Sequence, residues 1–499
     1  MAPLRQSLRR QVSHGATNDR TPQKPRLASY NGLGAPRCGS RAPAQHSRPD
    51  SPGGHPWTAS EPLTSDSCAG FRQEANGDES TAEQPMGRWA TLAESVGSLE
   101  PTSAVVLPPG AGGATAIERE IARQSERLRG LDVYSGLLLS DYSFLSDGIR
   151  YTTWHVMPPV RAAVADGSVR FLPIRGSQLS HLFATGRLPL DVAVVHTSPP
   201  DSDGRCSLGT STSYPLTLAR LAPTVIAQVN PAMPRVSGEA SLHTSEIDWL
   251  VEVDEPLGEH PQPAVGTTAS AIGDRLAALI PSGTTLQVGI GAIPEALLQS
   301  LCASDVRDLR IYGMGVDAIV ALDAAGKLRA AGDGRPAVLC AELMGTTALY
   351  EYAHENSALE MHPFDTILDP AHMAGFEGFV SVNSAVQVDL MGQANVEHLG
   401  GDQLSGVGGG FDFAQGAWLS PGGKSIIAMP STNRRGDVSR IVARLDPGTP
   451  VGVPRHFTHY VVTEHGVADL AGLGLRERAE ALIAVAAPQF RDELAGSVG

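Results

Sequence analysis

The chain has 499 residues, 41% of them apolar and 18% charged, with a formal net charge of -15. That length exceeds one ordinary core and implies two or three domains. The acidic balance excludes duplex nucleic acid as a partner, because counterion release needs a basic face, and no run of about 18 apolar residues offers a membrane span. Cys38, Cys68, Cys206, Cys302 and Cys340 lie far apart with no CxxC pair. Neither a zinc site nor a disulfide framework is indicated, and a reducing cytoplasm is the expected setting.

Residues 1–84 are rich in Arg, Ser, Pro and Gly and lack apolar periodicity. Such a segment cannot bury enough surface to offset its ordering entropy, so it is expected to be a disordered tail. Its first 50 residues are Arg-rich and acid-poor, as in an organelle transit peptide, but without a clear amphipathic helix. From residue 85 the texture changes. "SAVVLPPGAGGATAIEREIARQ" (103–124) reads as a strand, a Gly-rich turn and a helix, and "LDVAVVHT" and "PTVIAQVN" read as buried strands. Apolar runs alternating with helices point to a largely parallel sheet covered on both faces.

Around "DEPLGEHPQPAVGTT" (254–268) the pattern breaks into Pro, Gly and acids, which sets a domain boundary near residue 260. The expected organisation is therefore two similar α/β domains with mainly parallel sheets, residues 85–260 and 261–499. Strand-like runs of the second series begin at "TTLQVGIGAIPEALLQSL" (284–301) and continue through "LRIYGMGVDAIVAL", "AVLCAELMGTTALYEYAHE" and "GKSIIAMPS" to "HYVVTEHGVADL" (459–470). The closing stretch "LRERAEALIAVAAPQF" places Leu475, Ala479, Leu482, Ile483 and Ala486 on one helical face.

Three Gly-rich turns stand out. In "LQVGIGAIPEALL", Gly289 and Gly291 follow a strand and Pro294 sits at a helix start, where its missing N–H costs nothing. Free amides there can hold a phosphate or a developing oxyanion. The third glycine of a dinucleotide fingerprint is missing, and so is its acid, which argues against a nicotinamide enzyme. In "SGVGGGFDFAQGAW", Gly406, Gly408, Gly409 and Gly410 precede Phe411, Asp412 and Phe413, the pattern of an anchored loop whose backbone approaches a ligand. The third turn, Gly313 to Gly315 in "LRIYGMGVDAIVAL", lies where α/β proteins place their chemistry, yet it carries no nucleophile, acid or ring nitrogen.

Taken together, "SPPDSDGRCSLGTSTSY", "HTSEIDWLVE", "LQVGIGAIPEALL", "ELMGTTALYEY", "VSVNSAVQVDLMGQANVE", "GVGGGFDFAQGAW" and "YVVTEHGVADL" resemble the acetyl-CoA hydrolase/transferase family, which includes 4-hydroxybutyrate and acetate CoA-transferases. The likeness spans residues 87–495. It implies the CoA-transferase fold, a homodimer, and acyl transfer from a short acyl-CoA to a carboxylate, with coenzyme A as substrate and no metal or redox cofactor. It further implies that Gly289, Gly291 and Ile293 line the thioester, that Gly409 gives a second oxyanion amide, and that Asn383 steadies the nucleophile. Ser405 and Lys424 are implied as contacts to CoA, the latter to a phosphate.

In the family's transferases a glutamate attacks the thioester from a pattern like S-E-M-x-x-D-G. With Met314 and Asp317 in register, its place here is held by Gly313, which cannot form an anhydride. Three explanations follow. Another carboxylate serves, with Glu342 in "CAELMGT" the first candidate and Glu464 in "VVTEHG" the second; or the protein is a hydrolase, with Glu342 or His465 as general base; or it binds CoA without turnover.

Overall fold

The computed structural model describes residues 87–498 apart from 147 and 331–333. The tail expected over residues 1–84 lies outside these residues. Two large sheets organise the rest. The first is wholly parallel, in the order 88–89, 249–252, 224–229, 192–197, 104–106, 132–135, 150–153, 169–171. Its central strand Val192–Thr197 is buried along its whole length, as a strand covered on both faces must be.

The second sheet has nine strands: 466–469, 460–463, 424–428, 380–383, 285–288, 310–315, 338–343, 359–361 and 237–238. Only its 460–463/466–469 hairpin is antiparallel. The two sheets share a winding. Apart from the two-residue edge strands 88–89 and 237–238, the chain in each starts at an inner strand, steps outward three times, then returns to the other side of that strand and steps outward again. Each sheet thus has a switch point, between 104–106 and 192–197 in one and between 285–288 and 380–383 in the other. A crevice opens there at the carboxyl ends of the strands, where such folds bind ligands.

The halves are stitched together. Ser237–Gly238 pairs in parallel with Glu360–Met361 on the edge of the second sheet. The segment Thr210–Ser213, wholly buried, runs against the Val338–Leu343 strand, with Leu343 N donating to Thr210 O at 2.8 Å. Among the described residues, no helix is long and apolar enough to cross a membrane.

Two sequence expectations change. The Gly-rich stretch after residue 405 is not all loop: Gly410–Leu419 is a helix whose Asp412, Ala414 and Ala417 are buried. Gly416 is buried as well, so the covered positions run around the helix and leave no one-sided apolar period to read in the sequence. In the helix Leu475–Val485, Ala479 and Leu482 are buried as expected, but Leu475 is exposed because it occupies the first turn, outside the packed face.

Candidate active site

The strand Arg310–Gly315 pairs with Val338–Leu343, and its register slips at the glycine. Gly313 is opposite Cys340, whereas Met314 is opposite Glu342. Ala341 is skipped, and its carbonyl instead accepts Thr212 N at 3.0 Å and Ser213 N at 3.2 Å from the first half. The bulge also resets side-chain alternation, so that Cys340 and Leu343 fall in one apolar cluster while Leu339 and Ala341 fall in another. Glu342 is left beside Met314, facing a cavity of about 420 Å³ lined by the switch point of the second sheet and by residues that follow strands of the first.

This cavity takes Pro109, Leu137, Trp154, His155 and Tyr214 from the first half, and Gly289, Ile290, Gly313, Met314, Glu342 and Asn383 from the second. The glycine turn Ser405 to Gly410 closes it. Gly406 has no room for a side chain, since a Cβ would lie 2.2 Å from Trp154 O. Gly176 N donates to Gly408 O at 2.9 Å, and Arg175 pairs with Asp412 at 3.0 Å, with Ser177 Oγ donating to the same carboxylate at 2.8 Å. The first half therefore pins the turn in place. Burial pushes the Asp412 carboxyl up to about 6 against the pull of Ser177 and Arg175.

Glu342 is the buried acid of the cavity. Ser211 Oγ donates to its Oε1 at 2.7 Å, while Oε2 has no hydrogen-bond partner among the described residues. A Cβ on Gly110, which has φ +58°, would lie 3.1 Å from that oxygen. Desolvation pushes the carboxyl up to about 8, against the lowering influence of the Ser213 and Ser211 hydroxyls. His155, also in the wall, has its pKa pulled down to about 4 by burial, so its ring is neutral at physiological pH. Its Nε2 lies 3.5 Å from Ser405 Oγ.

Gly313 has φ +93°, and a Cβ there would meet Phe413 Cζ at 2.9 Å and Gln287 Cγ at 3.3 Å. The ring of Phe413 occupies the space that a side chain at 313 would need. Asn383 Nδ2 donates to Gln287 Oε1 at 3.2 Å and to Ser381 Oγ at 2.8 Å. It shares the cavity with Glu342 but stands three strands away in sheet order, so the partner that holds Glu342 is Ser211 and not Asn383.

Of the residues expected from sequence, Glu342, Asn383, Gly289, Ser405 and Gly409 line this one cavity. Four do not. Gly291 caps the helix Ala292–Ala303 with φ +120°, and its amide is taken by Gln262 Oε1 at 2.9 Å. Ile293 packs into the apolar core beneath; Ile290 lines the cavity instead. Glu464 accepts both Ser431 N and Ser431 Oγ, at 2.9 and 2.6 Å, beyond a strand two places out from that of Asn383. His465 lies beside it at 3.7 Å. Lys424 begins its strand, at the end opposite the cavity, and its Nζ donates to Leu279 O at 2.7 Å. Sequence reasoning missed His155, Trp154 and Tyr214, which follow or flank first-half strands, and Ser211, in the quoted "LGTSTSY" string.

The chemistry available is acyl transfer. A buried carboxyl with one free oxygen faces two turns that lead into helix starts, Ala292–Ala303 and Gly410–Leu419. Amides and dipoles at such starts favour a developing negative charge. Comparison with known proteins agrees. Residues 77–258 match the acetyl-CoA hydrolase/transferase N-terminal domain, and 345–498 match its C-terminal domain. The chain is 39% identical to 4-hydroxybutyrate coenzyme A transferase of Clostridium kluyveri over 413 residues, covering 81% of this chain and 95% of that protein. It is 35% identical to butyryl-CoA:acetate CoA-transferase of Anaerostipes caccae, covering 76% and 88%. The crystal structure of 4-hydroxybutyrate CoA-transferase from Porphyromonas gingivalis superposes with a TM-score of 0.70 at 34% identity, covering 82% of this chain and 97% of that one.

Proposed function

The chain belongs to the acetyl-CoA hydrolase/transferase family, and on that premise we propose that it moves a short acyl group from a CoA thioester to a carboxylate, with Glu342 as the covalent acceptor. The observation that carries this reading is Oε2 of Glu342, buried, without a partner among the described residues, and facing the cavity.

The ionised Glu342 attacks the thioester carbonyl carbon; the C–S bond breaks, CoA thiolate leaves, and an acyl-glutamyl anhydride remains. The thiolate then attacks the glutamyl carbonyl of that anhydride, which releases the acyl group as its carboxylate and leaves a glutamyl-CoA thioester. An acceptor carboxylate reverses the two steps and departs as a new acyl-CoA, regenerating Glu342. Each tetrahedral oxyanion lies toward the Gly289 and Gly409 turns. Ser211 orients the attacking carboxyl through Oε1 and leaves Oε2 for the bond.

A second reading, hydrolysis, draws on the cavity wall, which among its described residues has no Lys or Arg to recruit an acceptor carboxylate. Water then resolves the same intermediate. Incubating the purified protein with acetyl-CoA, with and without a panel of carboxylates, separates the two. New acyl-CoA formed only with an acceptor is transfer, and free CoA released without one is hydrolysis. Glu342→Gln should lower kcat by about 100-fold or more while CoA binding persists, and hydroxylamine trapping should map acylation to residue 342. Undiminished turnover in Glu342→Ala would remove this residue from the chemistry. The same reading keeps the expectation of a homodimer in the cytoplasm, the first tested by light scattering and the second by cell fractionation.

A further inference from the structure

We infer that the cavity selects acyl groups that are uncharged beyond the thioester, and turns away those that carry a second carboxylate. This rests on the CoA-thioester reading above and adds the class of acyl group. Apolar rings and branched chains make most of the wall: Trp154, Phe364, Leu368, Val396, Phe413 and Val453. Phe413 is the central one. Its ring lies over Gly313 on one side, and a Cβ on Gly409 would meet its Cε2 at 3.0 Å on the other. An acyl chain whose carbonyl sits between the two glycine turns therefore rests against this ring.

A distal carboxylate placed there would lose its hydration and gain no cation in return. No Lys or Arg is among the described lining residues. Arg175, on the neighbouring face of the glycine turn, is held by Asp412 at 3.0 Å and lies over the Phe411 ring at 5.0 Å. Lys424 is at the far end of its strand. His155 is half-buried and uncharged at neutral pH. Glu342 is itself acidic, so its ionised form repels a second carboxylate in the same space. An unpaired buried charge is among the costliest groups to accommodate. A hydroxyl is different, because Ser405 and Asn383 offer it hydrogen bonds at the cavity edge.

The test uses the full chain and two unreactive thioethers, S-butyl-CoA and S-(3-carboxypropyl)-CoA, with dissociation constants from calorimetry at pH 7, alongside kcat/KM for butyryl-CoA and succinyl-CoA. The butyl analogue should bind about 100-fold more tightly, and butyryl-CoA should lead succinyl-CoA by a similar factor. Equal binding of the two thioethers overturns the charge selection while leaving the CoA site standing. If neither binds, the CoA reading falls and takes this inference with it. Selective binding without turnover of either thioester supports the inference and overturns the proposed reaction instead.

Discussion

Met314 lies directly opposite Glu342 across a parallel ladder, although Gly313, the residue before it, lies opposite Cys340. This single slip in register brings an acid on one strand beside the glycine turn of the adjoining strand, where the likeness to the family leads one to expect an acid. It costs a skipped residue, Ala341, whose carbonyl is satisfied from the other half of the chain by Thr212 and Ser213. The prediction that follows concerns protons. Attack by ionised Glu342 requires loss of a proton whose pKa is about 8, so kcat/KM should rise about tenfold per pH unit below that value and level off above it. A profile flat from pH 6 to 9 would count against Glu342.

The same group makes stability depend on pH. In the fold its pKa is raised to about 8, whereas the unfolded chain releases the proton near 4.5. Its contribution is fully present below 4.5 and is lost as pH rises to about 8, at about 1.4 kcal/mol per unit across that window. Urea denaturation of wild type and Glu342→Gln at pH 5.5 and 8 should show the variant gaining relative stability at the higher pH.

Ser211→Ala removes the donor at 2.7 Å from Oε1. The ionised form of Glu342 then loses a charge-assisted hydrogen bond, and the rising limb of the pH–rate profile should shift upward by about one unit. A shift downward would mean that the hydroxyl stabilises the protonated acid.

Gly313→Glu should not restore a family-type active site. The backbone at φ +93° and the Phe413 ring at 2.9 Å both oppose a Cβ, at a combined cost of about 2–5 kcal/mol. Thermal melting should fall and kcat should not exceed that of the wild type.

Arg175→Ala leaves the Asp412 carboxylate buried with Ser177 as its remaining side-chain donor. Stability should drop by about 3 kcal/mol, and KM for acyl-CoA should rise as the glycine turn loosens. An unchanged KM would show that Gly176 and Gly408 suffice to hold the turn.

Much of this site was legible because buried parallel strands advertise themselves. Residues 192–195 (VAVV) and 338–341 (VLCA) are unbroken apolar runs, and the turns that follow such strands mark the ends where ligands bind. Lys424 fails that same rule, since it is the first residue of its strand, and strand direction alone places it away from the cavity. Glu464 satisfies the rule and still lies elsewhere, because sheet order is a tertiary property: its strand is two places beyond that of Asn383. His155, Trp154 and Tyr214 reach the cavity only when the two halves meet, and no spacing in the sequence records that meeting.

Ser237–Gly238, only two residues long, gives the second sheet its last strand. The boundary near residue 260 is therefore a seam in the pattern of the chain and not a line along which it can be cut. A fragment beginning at residue 261 would carry the Leu359–Met361 strand with its outer amides and carbonyls bare, and bare edges recruit other chains. Splitting this protein into two separately made polypeptides would require the first to lend that dipeptide across the join.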